Sequence, residues 1–106
     1  MNYDIKEQLN LRKFMPSKEH TKSLTSFFYA FSDDTRLKIV MLLFIKPLCV
    51  GDISNVLNIN QTTVSHQLKI LKTLNLINCD RSGKNIYYYI NNPNIENVLN
   101  ASVDCL

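Results

Sequence analysis

The segment NQTTVSHQLKILKTL, Asn60 to Leu74, concentrates the side chains whose types and spacing suit contact with another molecule. At the 100° per residue of an α-helix, Thr62, Ser65 and Lys69 fall on one side. His66 flanks this side. Such groups can hydrogen bond to base edges or approach phosphates. An ordinary solvated helix face commonly mixes Glu and Asp with Lys, and this segment contains neither. The pattern therefore favours a helix that lies in a nucleic acid groove.

The opposite side of this helix is apolar and predicts how the helix is held. The residues that fall there are Val64, Gln67, Leu68, Leu71 and Leu74. Just upstream, a short helix fits Val50 to Leu57, and we expect Ile53, Val56 and Leu57 to point inward. Asn60 is the predicted N-cap after a short turn. Two helices joined by such a turn, the second with a polar outer face, form a helix-turn-helix.

A β-hairpin is predicted directly after the polar helix, where the apolar period changes from helical to alternating. The first strand begins at Ile77, Ser82-Gly83 makes a tight turn, and the segment from Lys84 to Ile90 is rich in β-formers. Arg81 and Lys84 flank the predicted tip. These cations can reach a phosphate or the minor groove, or they can simply keep a turn solvated, and the sequence leaves both readings open.

The flanking segments are predicted to be helical. Residues 1–16 form an N-terminal arm or short helix, and residues 17–106 form the folded domain. A helix after Ser17 carries Leu24, Phe27, Phe28 and Phe31 on one stripe, which suits either a core or half of a subunit interface. A second helix, capped by Asp33 or Asp34, is apolar on most sides and should be central. The stripe of the last helix comprises Ile95, Val98, Leu99, Ser102 and Val103. Apolar stripes on the first and last helices suit a symmetric homodimer as well as packing within one domain.

Length and composition narrow the class of protein. The chain has 106 residues, 45% of them hydrophobic, which suits one domain with one modest core. The net charge is +3, and the segment from Asn60 to Asn91 alone carries four cations against one carboxylate. This segment is therefore the candidate polyanion-binding surface. No segment is predicted to cross a membrane. Three cysteines do not suggest a secreted disulfide framework, so we expect a reducing, cytoplasmic setting.

An enzyme is disfavoured by the residues present. Ser65 and His66 are adjacent in the sequence and point about 100° apart on a helix, so they cannot form a nucleophile and its base. The chain has only two glycines, which excludes a glycine-rich phosphate loop. The stronger alternative is a winged-helix module that binds protein and no operator. That alternative would leave the carboxylate-free helix face unexplained.

Three stretches together resemble the ArsR/SmtB family of winged-helix repressors. They are FSDDTRLKIVMLL, PLCVGDISNVLNINQTTVSHQLKILK and LINCDRSGKNIYYYI. The resemblance implies a mainly α fold with a small β-hairpin, in the order α-α-α-α-β-β-α, and a homodimer that binds a palindromic operator in double-stranded DNA through helix 60–75 and wing 77–90. It also implies that the base-edge and phosphate contacts come from Gln61, Thr62, Thr63, Ser65, His66, Lys69, Arg81 and Lys84.

The sensing part of the sequence departs from the family pattern. Metal-sensing members often carry two thiols in a C-V-C-D run, and here the run is Cys49-Val50-Gly51-Asp52, with one thiol. A soft-metal site needs three or more ligands, so we predict neither a metal site nor a cofactor. Some relatives sense oxidants through two cysteines, and Cys49 and Cys105 are the candidate redox pair. Cys79 is expected to be a small buried hydrophobe.

Overall fold

A computed structural model of the protein describes residues 2–104, and the side chains of residues 2–101. This part of the chain forms six helices and one hairpin. The elements are α1 (Ile5–Arg12), α2 (Lys18–Tyr29), α3 (Asp34–Ile45), α4 (Val50–Leu57), α5 (Gln61–Thr73), β1 (Ile77–Ser82), β2 (Asn85–Ile90) and α6 (Pro93–Asp104). The predicted mainly α winged helix-turn-helix is confirmed. It has one more helix than the predicted order, because part of the N-terminal arm is helical.

The hydrophobic core lies between α3, α4, α5 and the hairpin. Its largest fully buried side chains are Ile39, Val40, Ile53, Val64, Leu68, Leu71, Leu76, Ile77 and Ile95. The residues of α5 among them recur at helical spacing, so one face of that helix is fixed against α3 and α4. The central position predicted for the second helix is confirmed for α3. However, Met41 and Phe44 of α3 are exposed, because this helix also lines an open surface groove.

The helix-turn-helix is built from a short turn and two helix ends. Asn58 ends α4 with φ of 55°, a left-handed conformation that Asn tolerates better than most residues. Asn60 then caps α5, and its side-chain oxygen accepts a hydrogen bond from the Thr63 backbone N–H at 2.8 Å. The predicted inward position of Val56 is wrong. Its side chain is 61% exposed, because only Ile53 of this short helix is buried in the core.

The hairpin is a two-stranded antiparallel sheet whose turn differs from the predicted one by a residue. Ser82 pairs with Asn85, so the turn residues are Gly83 and Lys84. Gly83 has φ of 63°, which a residue with a Cβ adopts only with strain, and Gly suits the first central position of such a tight hairpin turn. The wing is also attached to the body through Leu48, whose backbone exchanges two hydrogen bonds with Tyr88, at 2.8 and 3.1 Å.

The first two helices contrast with the core, since neither α1 nor α2 contributes a buried residue. Leu24 and Phe28 of α2 are exposed, and Phe28 leaves 58% of its surface open. A groove of about 820 Å³ runs along α2, α3 and α6. Its apolar lining includes Phe28, Phe31, Met41, Phe44, Val98 and Leu99. Each helix within residues 2–104 is too short or too polar to cross a bilayer.

Candidate nucleic-acid interface

The two faces of α5 are separated as the sequence predicted. Val64, Leu68 and Leu71 are fully buried. The exposed side chains of the helix include those of Gln61, Thr62, Ser65, His66 and Lys69. Because the buried face holds the helix against the body, the exposed face has a fixed orientation. It presents an amide, hydroxyls, an imidazole and an ammonium group, with no carboxylate on the helix.

Thr63 differs from the other residues predicted on this surface. Its side chain is half-buried, and its backbone N–H is used by the Asn60 cap.

The N-terminal end of α5 is a further feature of this surface. The first turn of α5 contains no acidic residue, so the positive end of the helix dipole is not neutralised by a carboxylate there. This end is therefore suited to an anionic group such as a phosphate.

The wing places the two predicted cations in different positions. Arg81 is exposed on β1, where it pairs with Ile86, and Lys84 is exposed in the turn. The wing is linked to the end of α5 by Lys72, whose Nζ donates a hydrogen bond to the Cys79 Sγ at 3.3 Å. Helix and hairpin therefore form one continuous surface, with Lys72 at their junction.

The prediction that Cys79 is a buried hydrophobe is wrong. The side chain is only half-buried, because its Sγ lies outside the core cluster and meets the exposed side chain of Lys72. Lys72 itself was missing from the predicted site residues. The signal was present, since Lys72 follows Lys69 on the same helix and flanks the polar face.

Cys49, the first member of the predicted redox pair, lies at the N-cap of α4 and is half-buried. Its Sγ donates a hydrogen bond to Asp52 Oδ2 at 3.0 Å, and its backbone N–H approaches the same oxygen at 3.4 Å. These two bonds, helped by the charge of Lys46, lower the pKa of Asp52 below its ordinary value. Cys105 lies outside the described residues.

Metal ions are held by several ligand side chains that lie close together. In the described part of the chain, no three His, Cys, Asp or Glu side chains come together in a way that could hold a metal ion. The surface formed by α5 and the wing is instead that of a winged helix-turn-helix, which places its second helix in a DNA groove.

Comparisons with known proteins agree with this class. Residues 33–78 match the family described as bacterial regulatory proteins of the arsR family. The cadmium resistance transcriptional regulatory protein CadC of Listeria innocua is 36% identical over 99 residues, which cover 92% of this chain and 83% of CadC. The transcriptional repressor SmtB homolog of Synechocystis is 31% identical over 90 residues, 85% of this chain and 68% of that protein. The chain belongs to the arsR family.

Solved structures confirm the fold. NolR from Sinorhizobium fredii superposes with a TM-score of 0.77 at 24% identity, over 87% of this chain and 96% of NolR. The transcriptional repressor BigR from Xylella fastidiosa superposes with a TM-score of 0.73, over 79% of this chain and 86% of BigR. The protein is accordingly a DNA-binding transcriptional regulator of the winged helix-turn-helix type, and not an enzyme.

Proposed function

We propose that the protein is a homodimeric repressor that binds a palindromic operator, with α5 in the major groove and the wing on the flanking backbone. In this proposal Gln61, Thr62, Ser65 and His66 contact base edges, and Lys69, Arg81 and Lys84 contact phosphates. Thr63 contributes through the edge of its half-buried side chain. The observation that carries the proposal is the exposed, carboxylate-free face of α5, held rigidly by its buried opposite face.

The homodimer is supported by the apolar surface that one chain leaves open. The exposed side chains of Leu24 and Phe28 and the groove along α2, α3 and α6 form an apolar surface that association of two chains would remove from water. A two-fold axis beside this surface would bury it against its own copy and would present two α5 helices to successive major grooves.

The signal that releases the operator is a separate part of the proposal. Two relatives are named for resistance to a metal or a metalloid, namely the cadmium resistance transcriptional regulatory protein CadC and the arsenical resistance operon repressor of Bacillus subtilis. For this chain we propose a thiol signal through Cys49 and Cys105. In this proposal a two-electron oxidant joins the two thiols in a disulfide and takes up their two hydrogens, so Cys49 loses the hydrogen that it donates to Asp52 at the start of α4, the first helix of the helix-turn-helix.

The test is a fluorescence anisotropy titration of duplex DNA from upstream of the gene, followed by footprinting to define the operator. Three phosphate-contacting cations per chain give six per dimer, so we expect affinity to fall about 10³-fold between about 50 and 200 mM salt. The double variant His66→Ala, Lys69→Ala should lose operator binding and keep its helical content and dimer. The control is Lys18→Ala, Lys22→Ala, which removes two cations from exposed positions on the side of α2 away from its apolar stripe.

The outcomes separate the alternatives. Tight binding that survives in the His66, Lys69 variant would exclude α5 as the reading helix. If footprinting finds no operator and the binding of DNA does not depend on salt, the result would favour the alternative of a winged-helix module that binds protein. Titrations with matched reduced and oxidant-treated protein address the signal, because equal affinity in both states would rule out the cysteines as its sensor.

A further inference from the structure

Arg36 is the one buried charged side chain in the described part of the chain, with 6% of its surface exposed. It lies in the first turn of α3, where its backbone N–H donates to the capping Asp33 side chain at 3.0 Å. Burying a guanidinium removes it from water at a substantial cost, so its surroundings must explain why it is there.

The guanidinium joins three helices. Its Nη2 donates to the Tyr29 carbonyl oxygen at 3.1 Å, and its Cζ lies 4.7 Å from the centre of the Tyr29 ring. Tyr29 is the last residue of α2, and the last turn of α2 has no basic residue of its own, so Arg36 supplies the cation at that negative helix end. On its other side, Nη1 donates to Gln67 Oε1, in the middle of α5, at 3.2 Å.

These contacts fix geometry more than they add stability. Both acceptors are neutral oxygens, and Nε has no hydrogen-bond partner among the described residues. The neutral acceptors, the Tyr29 ring and the end of α2 offset part of the cost of burying the charge, and an apolar side chain of similar length would often serve stability as well. A planar guanidinium does, however, hold its acceptors at fixed positions, which an apolar side chain cannot do.

We propose that Arg36 is a positioning residue that fixes the recognition helix α5 relative to α2, and thereby sets the separation of the two recognition helices in the dimer. This inference rests on the proposed function, since α2 carries the exposed apolar stripe assigned to the dimer and α5 carries the assigned DNA face. Tyr29 lies beside Phe28 and is itself 53% exposed, so the contact begins at the edge of the assigned dimer surface. At the other end of the Arg36 contacts, Gln67 lies on the inward side of α5.

A double-mutant cycle on DNA binding tests the proposal. Arg36→Met and Gln67→Met each remove one partner of the hydrogen bond and keep an unbranched side chain of similar length. Affinity is measured by anisotropy for the footprinted operator and for the same duplex with one base pair inserted between its half-sites. We expect wild type to prefer native spacing about tenfold, each single variant to lose most of this preference, and the double variant to lose no more than either.

Controls distinguish positioning from general damage. Arg36→Lys keeps the charge and loses the planar fork, so it should also lose the spacing preference. Arg12→Met removes the same residue type from an exposed position on α1 and should keep the preference. Dimerisation by analytical ultracentrifugation and helical content by circular dichroism should match wild type in every variant.

Two failures have different meanings. A wild-type protein that binds no operator overturns the proposed function, and this inference with it. If wild type prefers native spacing but Arg36→Met and Gln67→Met keep this preference, or lose it additively, the inference alone is overturned. If Arg36→Met does not fold, Gln67→Met decides, because its half-buried position tolerates the exchange: an unchanged spacing preference overturns the proposal and a reduced one supports it.

Discussion

The helices α5 and α2 carry the same kind of apolar stripe but differ in what covers it. In α5, Val64, Leu68 and Leu71 recur at helical spacing and are fully buried. In α2 and the two residues that follow it, Leu24, Phe27, Phe28 and Phe31 recur at the same spacing, yet Leu24 and Phe28 are exposed and the other two are half-buried. Helical periodicity therefore identifies a face that needs a partner, and only the surrounding elements show whether that partner lies within the same chain.

The buried stripe of α5 stabilises the single chain, whereas the exposed stripe of α2 is expected to stabilise the protein through association of two chains. Changes in the α5 stripe should lower the free energy of unfolding by the same amount at every protein concentration. Changes in the α2 stripe should act through the dimer and so should depend on concentration.

The largest effect on the folded chain is expected for Leu68→Ala. The substitution leaves a cavity between α5 and the body, and it should lower the free energy of unfolding by about 2 to 5 kcal/mol. Urea denaturation followed by circular dichroism, at two protein concentrations tenfold apart, would measure it. A loss below about 1 kcal/mol would mean that the core relaxes around the missing side chain.

A charge in the other stripe should act on association. Phe28→Asp places a carboxylate in the exposed apolar surface of α2, and we expect the dimer dissociation constant to rise about 30-fold, which corresponds to about 2 kcal/mol. Analytical ultracentrifugation would measure it. The matched control is Ser23→Asp, which adds the same charge at an exposed position on another side of α2. Equal dimerisation in both variants would contradict the assignment of this stripe to the dimer.

Sequence periodicity predicted the elements well because most of them have strong local signals. Asn60 as a cap, the apolar face of α5 and the hairpin after Leu76 all follow from residue type and spacing. The errors fall where tertiary contacts decide. Val56 is exposed because no neighbouring element of the described chain packs against that side of α4, and Cys79 is half-buried because its side chain meets the exposed Lys72 outside the core. The Leu48 to Tyr88 bridge and the Arg36 contacts join residues far apart in sequence, which no local pattern can reveal.

Two helix caps with the same hydrogen-bond length extend the comparison to a core helix and a helix that buries nothing. Asn60 caps α5 and Asp4 caps α1, and each side chain accepts a backbone N–H at 2.8 Å. Asn60→Ala should lower the free energy of unfolding by about 1 kcal/mol, because α5 is part of the core. Asp4→Ala should leave global unfolding unchanged and should affect only α1, which buries nothing in this chain. Hydrogen exchange read by NMR would resolve both, and an equal global effect would mean that α1 is coupled to the core.

The smallest expected effect on stability is that of a change in the cap of α4. This helix is part of the folded body, but its cap lies at the surface. Hydrogen bonds from Cys49 lower the pKa of Asp52 from its ordinary value of 3.8, so the folded state favours the charged carboxylate. The stabilisation is therefore present above pH 3.8 and is lost as the pH falls through the lower pKa of the folded state. Asp52→Asn should make the urea midpoint less dependent on pH below pH 3.8. Because Asp52 is exposed, solvent screens the interaction and the change should be smaller than that of Asn60→Ala. Parallel pH profiles for wild type and Asp52→Asn would show that the surface cap of α4 contributes nothing to the stability of the body.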